Sequence, residues 1–182
     1  MRPPLALAAA LALAIAPSAG VEGEMRPVRV AAVLPLAGNG ALLLLEATDS
    51  GTLLPLVIGT FEATAIQEAR TGARPPRPLT HDLLASTVAA LGARVERVDV
   101  DAFEDSVYRA KLRLALPGRT VTLDARPSDS VALAVRTGAP IFVARRVLES
   151  QGLSREDLER LRRDPGALER HLGGGAAEGI RL

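Results

Sequence analysis

A four-residue string that occurs twice is the feature that most constrains how this chain folds. The string Arg-Thr-Gly-Ala stands at 70–73 and recurs 66 positions later at 136–139. Each copy lies at the end of a segment with helical character, and its glycine is of the kind that ends helices. Three β-type segments precede each helix, so the chain is predicted to contain a duplicated βββα unit. The predicted fold class is α+β, with a mainly antiparallel or mixed sheet and packed helices.

Aliphatic and β-branched runs bounded by turn residues predict the strands. The predicted strands are 28–34, 41–47, 53–58, 94–100, 108–116, 120–124 and 141–144. A helix follows the third strand of each unit, and a further helix at 81–91 lies between the units. Thr60 and Thr80 are expected to be the N-caps of the first two helices, because threonine side chains accept hydrogen bonds from free backbone N–H groups.

The two ends of the chain differ from this central part. Residues 1–20 have a charged start, a short apolar run and small residues before a cleavage point, which predicts a secretory signal peptide and a periplasmic or extracellular protein. An uncleaved N-terminal anchor is the alternative, although the apolar run is short for a membrane span. The main domain is predicted at 26–150. Residues 151–182 are expected to form a peripheral charged helix, capped at Ser154, and a flexible tail.

Composition excludes several classes of site. The chain has no cysteine, so it has no disulfide, no thiolate metal site and no cysteine nucleophile. Its net charge of +1 gives no general attraction to nucleic acid or to anionic membranes. The sequence lacks the nucleophile elbow, the zinc-protease motif and the Walker loop. With only two histidines, a bound metal would be held by carboxylates, which suits Mg²⁺ or Mn²⁺.

Polar residues are concentrated where the predicted helices begin. The three groups are Thr60 and Glu62; Thr80, His81 and Asp82; and Arg126, Ser128 and Asp129. A helix start carries free N–H groups and a partial positive charge, so dipole compensation and capping explain acids and hydroxyls there without any function. In the functional alternative the acids hold a cation, a neutral His81 accepts a proton, and Arg126 holds a phosphate. Arg126 can instead pair with Asp124 or Asp129 as a structural clamp.

The predicted strand at 108–116 alternates between apolar and basic residues. Arg109, Lys111 and Arg113 fall on one face, which predicts a half-buried strand with a basic outer face. Such a face is either simply solvated or able to contact a nucleic-acid backbone.

Three separated segments carry a resemblance to a known family. They are Leu54 to Ala63 with Ala65 and Ile66; Arg77 to Leu84; and Asp124 to Ser130 with Ala132, Leu133 and Ala134. In these segments, and in their order, the chain resembles the bifunctional nuclease domain family over roughly residues 28–150. The resemblance implies an α+β domain that often forms oligomers. In plant members it implies nuclease activity on both RNA and DNA.

The chemistry of the three helix starts then gives a specific hypothesis, an exported metal-assisted nuclease that acts on RNA, DNA or both. The predicted catalytic residues are His81, Asp82, Arg126 and Asp129. The predicted ligands of Mg²⁺ or Mn²⁺ are Glu62, Asp82 and Asp129. The predicted substrate-binding residues are Arg77, Ser128, Arg109, Lys111 and Arg113. The alternative is an exported, non-enzymatic module that binds a partner or self-associates. The nuclease hypothesis requires the three helix starts to converge on one cleft.

Overall fold

The computed structural model describes residues 23–36, 39–73 and 75–164. These residues form seven strands and five helices. The strands are β1 (Met25–Pro35), β2 (Ala41–Ala47), β3 (Leu53–Ile58), β4 (Arg94–Glu104), β5 (Val107–Leu116), β6 (Arg119–Ala125) and β7 (Ile141–Ala144). The helices are α1 (Thr60–Thr71), α2 (Thr80–Ala90), α3 (Pro127–Thr137), α4 (Arg145–Gln151) and α5 (Arg155–Arg163).

All seven strands belong to one sheet, in the order β3-β2-β1-β7-β4-β5-β6. The strands β1 to β3 form one antiparallel meander and β4 to β6 form another. The short β7 lies between the meanders, antiparallel to β1 and parallel to β4. The predicted α+β class with a mixed, mainly antiparallel sheet is confirmed, and each meander is followed by a helix, as the βββα plan requires.

The two repeated glycines end equivalent helices. Gly72 follows α1 with φ 69°, and Gly138 follows α3 with φ 72°, both in the left-handed conformation. A residue with a Cβ is strained in this conformation, which explains why glycine stands at the same point of each repeat.

One face of the sheet carries α1, α2 and α3 and holds the main core. Leu43 and Leu45 from β2, and Val98 and Val100 from β4, point to this face and are buried together with residues of all three helices. Burial of each such side chain stabilises the fold by roughly 1.5–3 kcal/mol relative to its exposure. The core therefore fixes the helices, and with them their first turns, against a rigid support.

The opposite face carries a second, smaller apolar cluster under α5. Leu42, Leu44 and Leu53 of the sheet are buried there with Leu153 and Leu158. Leu153 also forms a β-bridge with Leu53. The segment after residue 150 was expected to be peripheral, but it supplies part of the core.

Charge also binds this helix to the sheet. Arg155, in the first turn of α5, forms an ion pair with the buried Glu46 of β2, which pairs with Arg29 as well. The predicted cap of α5 is present, because the Ser154 hydroxyl accepts a hydrogen bond from the Asp157 backbone N–H.

The predicted caps of the first two helices were wrong. Gly59 and Leu79 occupy the N-cap positions of α1 and α2, so Thr60 and Thr80 are the first residues inside each helix. The predicted signal peptide, residues 1–20, and most of the predicted tail lie outside the described residues. In the described part of the chain, every helix is too short or too polar to cross a membrane.

Candidate active site

An acidic residue stands at the third position of each of the helices α1, α2 and α3. These residues are Glu62, Asp82 and Asp129, counted from the N-caps Gly59, Leu79 and Arg126. A carboxylate at this position can turn back and accept a hydrogen bond from the N-cap backbone, as in a capping box. Within the described residues, Asp82 forms this bond: its Oδ2 accepts a hydrogen bond from the Leu79 N–H at 2.8 Å. The other two carboxylates face a different partner.

Arg126 joins the first turn of α1 to the first turn of α3. Its Nη2 donates to Glu62 Oε1 at 2.8 Å and to Asp129 Oδ1 at 3.1 Å, and its Nε donates to Asp129 Oδ2 at 2.7 Å. The bond to Asp129 is therefore bidentate, the geometry that guanidinium groups form best with carboxylates. These two carboxylates, Asp129 before Glu62, raise the pKa of Arg126 further above its ordinary value. The guanidinium is thus a fixed cation that is still about two-thirds exposed to solvent.

The first turn of α2 contributes His81. This side chain is largely buried, and its Nε2 lies 3.3 Å from Asp129 Oδ1. Asp129 therefore contacts both the imidazole and the guanidinium. The resulting chain of contacts runs Glu62, Arg126, Asp129, His81, and its directly bonded pair Glu62 and Arg126 is 64 positions apart in the sequence. The convergence that the nuclease hypothesis required is present for these four residues.

Asp82 is not part of this chain. Its Oδ1 accepts a hydrogen bond from Arg136 Nε at 2.6 Å. That bond, followed by the one from the Leu79 N–H, holds the pKa of Asp82 below its ordinary value. The Arg136 side chain is nearly buried and also donates to the Ala65 carbonyl of α1 at 2.7 Å. Asp82 thus takes part in a clamp between three helices, and its predicted catalytic role has no geometric support here.

A close backbone approach places Glu62. A Cβ atom added at Gly59 would lie 2.3 Å from Glu62 Oε2, well inside van der Waals contact. The carboxylate therefore occupies the space that a side chain at position 59 would need. Glycine at this N-cap allows Glu62 to fold over the start of α1 and reach Arg126.

The three predicted metal ligands do not form one group. Within the described ranges, no three histidine, aspartate or glutamate side chains are placed so that they could hold a metal ion. Asp82 is directed to Arg136, and a guanidinium stands between the carboxylates of Glu62 and Asp129. A cation there would compete with a positive charge, so this donor set does not fit Mg²⁺ or Mn²⁺.

The predicted basic face of β5 is neutralised. Arg109 pairs with Glu104 at 3.3 Å, Lys111 with Asp101 at 2.6 Å, and Arg113 Nε donates to Asp99 Oδ2 at 2.7 Å. All three acids belong to β4, the antiparallel neighbour of β5 in the sheet. A free basic surface was expected from β5 alone, whereas the sheet brings an acid to each cation.

The remaining substrate-binding candidates lie at two different places. Ser128 is buried in the first turn of α3 instead of facing solvent. Arg77 is exposed in the loop between α1 and α2, and no hydrogen bond or ion pair ties it to another described residue. Asp124 is exposed on β6. Of the two aspartates that were predicted to pair with Arg126, Asp129 is the one that does.

Two positions that support the site were not identified from the sequence. Arg136 belongs to the repeated string, which could have marked it, but its contact with Asp82 spans 54 positions and has no local signature. Gly59 directly follows a strand and precedes an acidic helix start, a pattern that is visible in the sequence but common.

Comparisons with known proteins agree on one family. A family model described as "Bifunctional nuclease domain" matches residues 43–156. An "Uncharacterized protein" of Mycobacterium tuberculosis is 40% identical over 131 residues, covering 72% of this chain and 77% of that protein. "Bifunctional nuclease 1" of Oryza sativa subsp. japonica is 29% identical over 128 residues, covering 69% of this chain and 39% of the plant protein. "Bifunctional nuclease 2" of Arabidopsis thaliana is 29% identical over 120 residues, 36% of its length. The match therefore spans well under half of each plant relative.

Proposed function

The chain belongs to the bifunctional nuclease domain family, and on that premise we propose that it hydrolyses phosphodiester bonds in RNA, DNA or both. The observation that carries the proposal is the contact chain of Glu62, Arg126, Asp129 and His81 at the starts of three helices. It places a fixed cation beside a histidine that contacts a carboxylate. These are the groups that a phosphate and an attacking water need.

Arg126 is the proposed phosphate-binding residue. Among contacts with described residues, its Nε and Nη2 are engaged by carboxylates and its Nη1 is not. The side chain is largely exposed, so a phosphate oxygen can approach Nη1 from solvent. The starts of α1 and α3 add their partial positive charges beside it. The phosphate is held while its negative charge grows in the transition state.

His81 is the proposed general base. In the tautomer in which Nε2 donates to Asp129, the lone pair is on Nδ1, which can accept a proton from water. The water oxygen then bonds to phosphorus while the ester bond from phosphorus to the leaving oxygen breaks. The water proton goes to His81, and the leaving oxygen takes a proton from solvent. Asp129 orients the imidazole and stabilises its protonated form, and it is a positioning residue in this scheme.

Metal assistance remains a prediction. The roles given to Arg126 and His81 do not require a cation, and the described donor set does not fit one. Cleavage assays in Mg²⁺, Mn²⁺ and EDTA test the point directly. Activity that persists in EDTA favours the metal-independent scheme, and activity that EDTA abolishes requires ligands in another arrangement.

The decisive experiment is cleavage of single-stranded RNA and DNA by the purified chain. It is compared with a double variant, His81→Ala with Asp129→Ala, purified in the same way. We expect product from the unmodified chain and none above background from the double variant. Equal product from both would reject the proposed site, and no product from either, in any metal, would favour the non-enzymatic binding module.

We further propose that the protein is exported, since residues 1–20 have the pattern of a signal peptide. Fractionation of expressing cells and N-terminal sequencing of the recovered protein test this. Intact residues 1–20 on a cytoplasmic protein would contradict it. Self-association is likewise a proposal, tested by light scattering of the purified protein.

A further inference from the structure

One aromatic side chain has no packing partner among the residues that the structure describes. The chain has three phenylalanines, one tyrosine and no tryptophan. Phe103 packs on Tyr108 with ring centroids 4.6 Å apart, and Phe142 lies under the Arg97 guanidinium at 5.2 Å. Phe61 is 89% exposed. A phenyl ring is a large, flat apolar surface, and one left this exposed can stack on another ring.

The position of Phe61 links it to the proposed site. It is the second residue of α1, directly before Glu62, whose carboxylate contacts Arg126. Leu84 stands three residues after His81, on the same side of α2, and is partly exposed, and Leu83 is more exposed still. The exposed phenyl ring and these two leucines thus stand on the first two turns of α1 and α2, the same turns that supply Glu62 and His81 to the site.

A cation beside an exposed aromatic ring is the recognition pair for an unpaired nucleotide. The cation takes the phosphate and the ring stacks on the base, which every nucleobase allows because each has a flat π-face. In a duplex the bases are already stacked and paired, so a ring on the protein surface gains a base only at the cost of unstacking. An exposed ring near a phosphate-binding cation therefore favours single strands over duplexes.

We propose that Phe61 is a base-stacking residue that makes the site selective for unpaired nucleotides. This inference rests on the proposed function in that it takes the same Arg126 as the phosphate contact. It adds the substrate class, single-stranded nucleic acid, and the residue that reads it. The ring holds a base next to the bound phosphate, so loss of the ring weakens binding of single strands and leaves duplex binding unchanged.

Binding measured without cleavage provides the test. A fluorescein-labelled oligothymidylate and its duplex with oligoadenylate are titrated in the His81→Ala background, and a gel verifies that the probe stays intact. Adding Phe61→Ala is expected to weaken binding of the single strand by about 5- to 100-fold. Duplex binding is expected to change by less than about twofold. Leu91→Ala is the matched control, because Leu91 is 74% exposed at the far end of α2.

A second variant guards against loss of folding. Phe61→Trp keeps a stacking ring and introduces the protein's single tryptophan, whose fluorescence should fall when oligothymidylate is added. Two binding results would overturn the inference. One is equal binding of single strands by the His81→Ala protein with and without Phe61→Ala, and the other is an equal loss of affinity for single strand and duplex. A Phe61→Ala variant that lowers the molar mass in light scattering without changing binding would also overturn it, since the ring would then be a contact between copies of the chain.

The two proposals fail separately. A protein that cleaves RNA or DNA with unchanged strand preference after Phe61→Ala keeps its proposed function and loses this inference. A protein that binds single strands through Phe61 but cleaves neither polymer keeps the inference and loses the catalytic proposal.

Discussion

Arg136 Nε donates a 2.6 Å hydrogen bond to Asp82 Oδ1, which joins the last turn of α3 to the first turn of α2. The bond spans two helices that pack against one another, and its donor is nearly buried. Because His81 precedes Asp82 directly, the clamp fixes the imidazole opposite Asp129. Asp82 was expected to act in chemistry, and in the structure it joins α2 to α3 one residue away from His81.

The clamp makes stability depend on pH in a defined direction. Arg136 and the Leu79 N–H hold the pKa of Asp82 below its ordinary value. The ionised carboxylate therefore stabilises the fold above the ordinary aspartate pKa of about 4, and this contribution is lost as pH falls through the lowered value. Asp82→Asn should reduce the free energy of unfolding by about 1 kcal/mol at neutral pH, and by less in acid. Urea unfolding at neutral and acidic pH measures it, with the exposed Asp124→Asn as control.

Substitution of Arg126 tests the need for its planar fork. Arg126→Ala should lower the cleavage rate by about 10²- to 10³-fold, because a transition-state hydrogen-bond donor is lost. Arg126→Lys keeps the charge but cannot bond Asp129 and Glu62 together, so a loss of about tenfold or more is expected. Initial rates on single-stranded substrate provide the measurement. Arg160→Ala, on α5, should leave the rate unchanged, and a wild-type rate for Arg126→Ala would remove Arg126 from the mechanism.

The proposed role of His81 can be tested by chemical rescue. His81→Ala should reduce cleavage by about 10²- to 10⁴-fold, the usual value of a general base. Added imidazole should restore part of the rate, since it can fill the space and accept the proton. Asp129→Ala should not respond to imidazole, because a free base does not replace a carboxylate. A His81→Ala rate that imidazole leaves unchanged would point to a structural role for the ring.

Tyr108 gives a direct spectroscopic test of the fold. Burial raises its pKa to about 12, and its hydroxyl donates to the Pro55 carbonyl at 3.3 Å. The chain has one tyrosine and no tryptophan, so ultraviolet tyrosinate absorbance reports this group alone. We expect a midpoint near 12 in the folded protein and near the ordinary value of about 10 in denaturant. Its contribution to stability is complete below the ordinary value and disappears as pH rises through the raised one. A folded midpoint near the ordinary value would mean that Tyr108 is solvated.

The cluster under α5 predicts that this helix is part of the stable domain. Leu158→Ala should lower the free energy of unfolding by about 2–3 kcal/mol, since the side chain is buried against Leu42 and Leu44. The exposed Leu91→Ala should change it by no more than about 0.5 kcal/mol. Urea unfolding of the Leu158→Ala and Leu91→Ala variants measures both changes in the free energy of unfolding. Equal values would show that α5 is as peripheral as the sequence suggested.

Local pattern was sufficient for the strands and for the helix ends. The bounds 41–47, 53–58 and 141–144 were predicted as the structure has them, because these runs are apolar and bounded by turn residues. The repeated glycines marked the ends of α1 and α3. The starts of α1 and α2 were one residue off because their N-caps, Gly59 and Leu79, have no side-chain oxygen that could mark them as caps.

Contacts between residues far apart in the sequence could not be predicted from local sequence pattern. In sequence, an acid at a helix start looks the same whether it only caps its own helix or also bridges to another helix, as Asp82 and Glu62 do. The cationic residues of β5 appeared unpaired in the sequence because the acids that neutralise them lie on β4, and the pairing of β4 with β5 is seen only in the folded sheet. α4 was not predicted, because its seven residues follow a strand without a turn signal.

The placement of β7 has a consequence for biosynthesis. Of the described strands it is the last to be translated and the central one in the sheet, where Ile141 pairs with both Val28 and Val98. Before β7 is synthesised, the two meanders share no strand and form two separate three-stranded sheets. Synthesis of these four residues allows the meanders to join into one sheet, and until then the β1 and β4 edges that β7 covers stay open to wrong pairing.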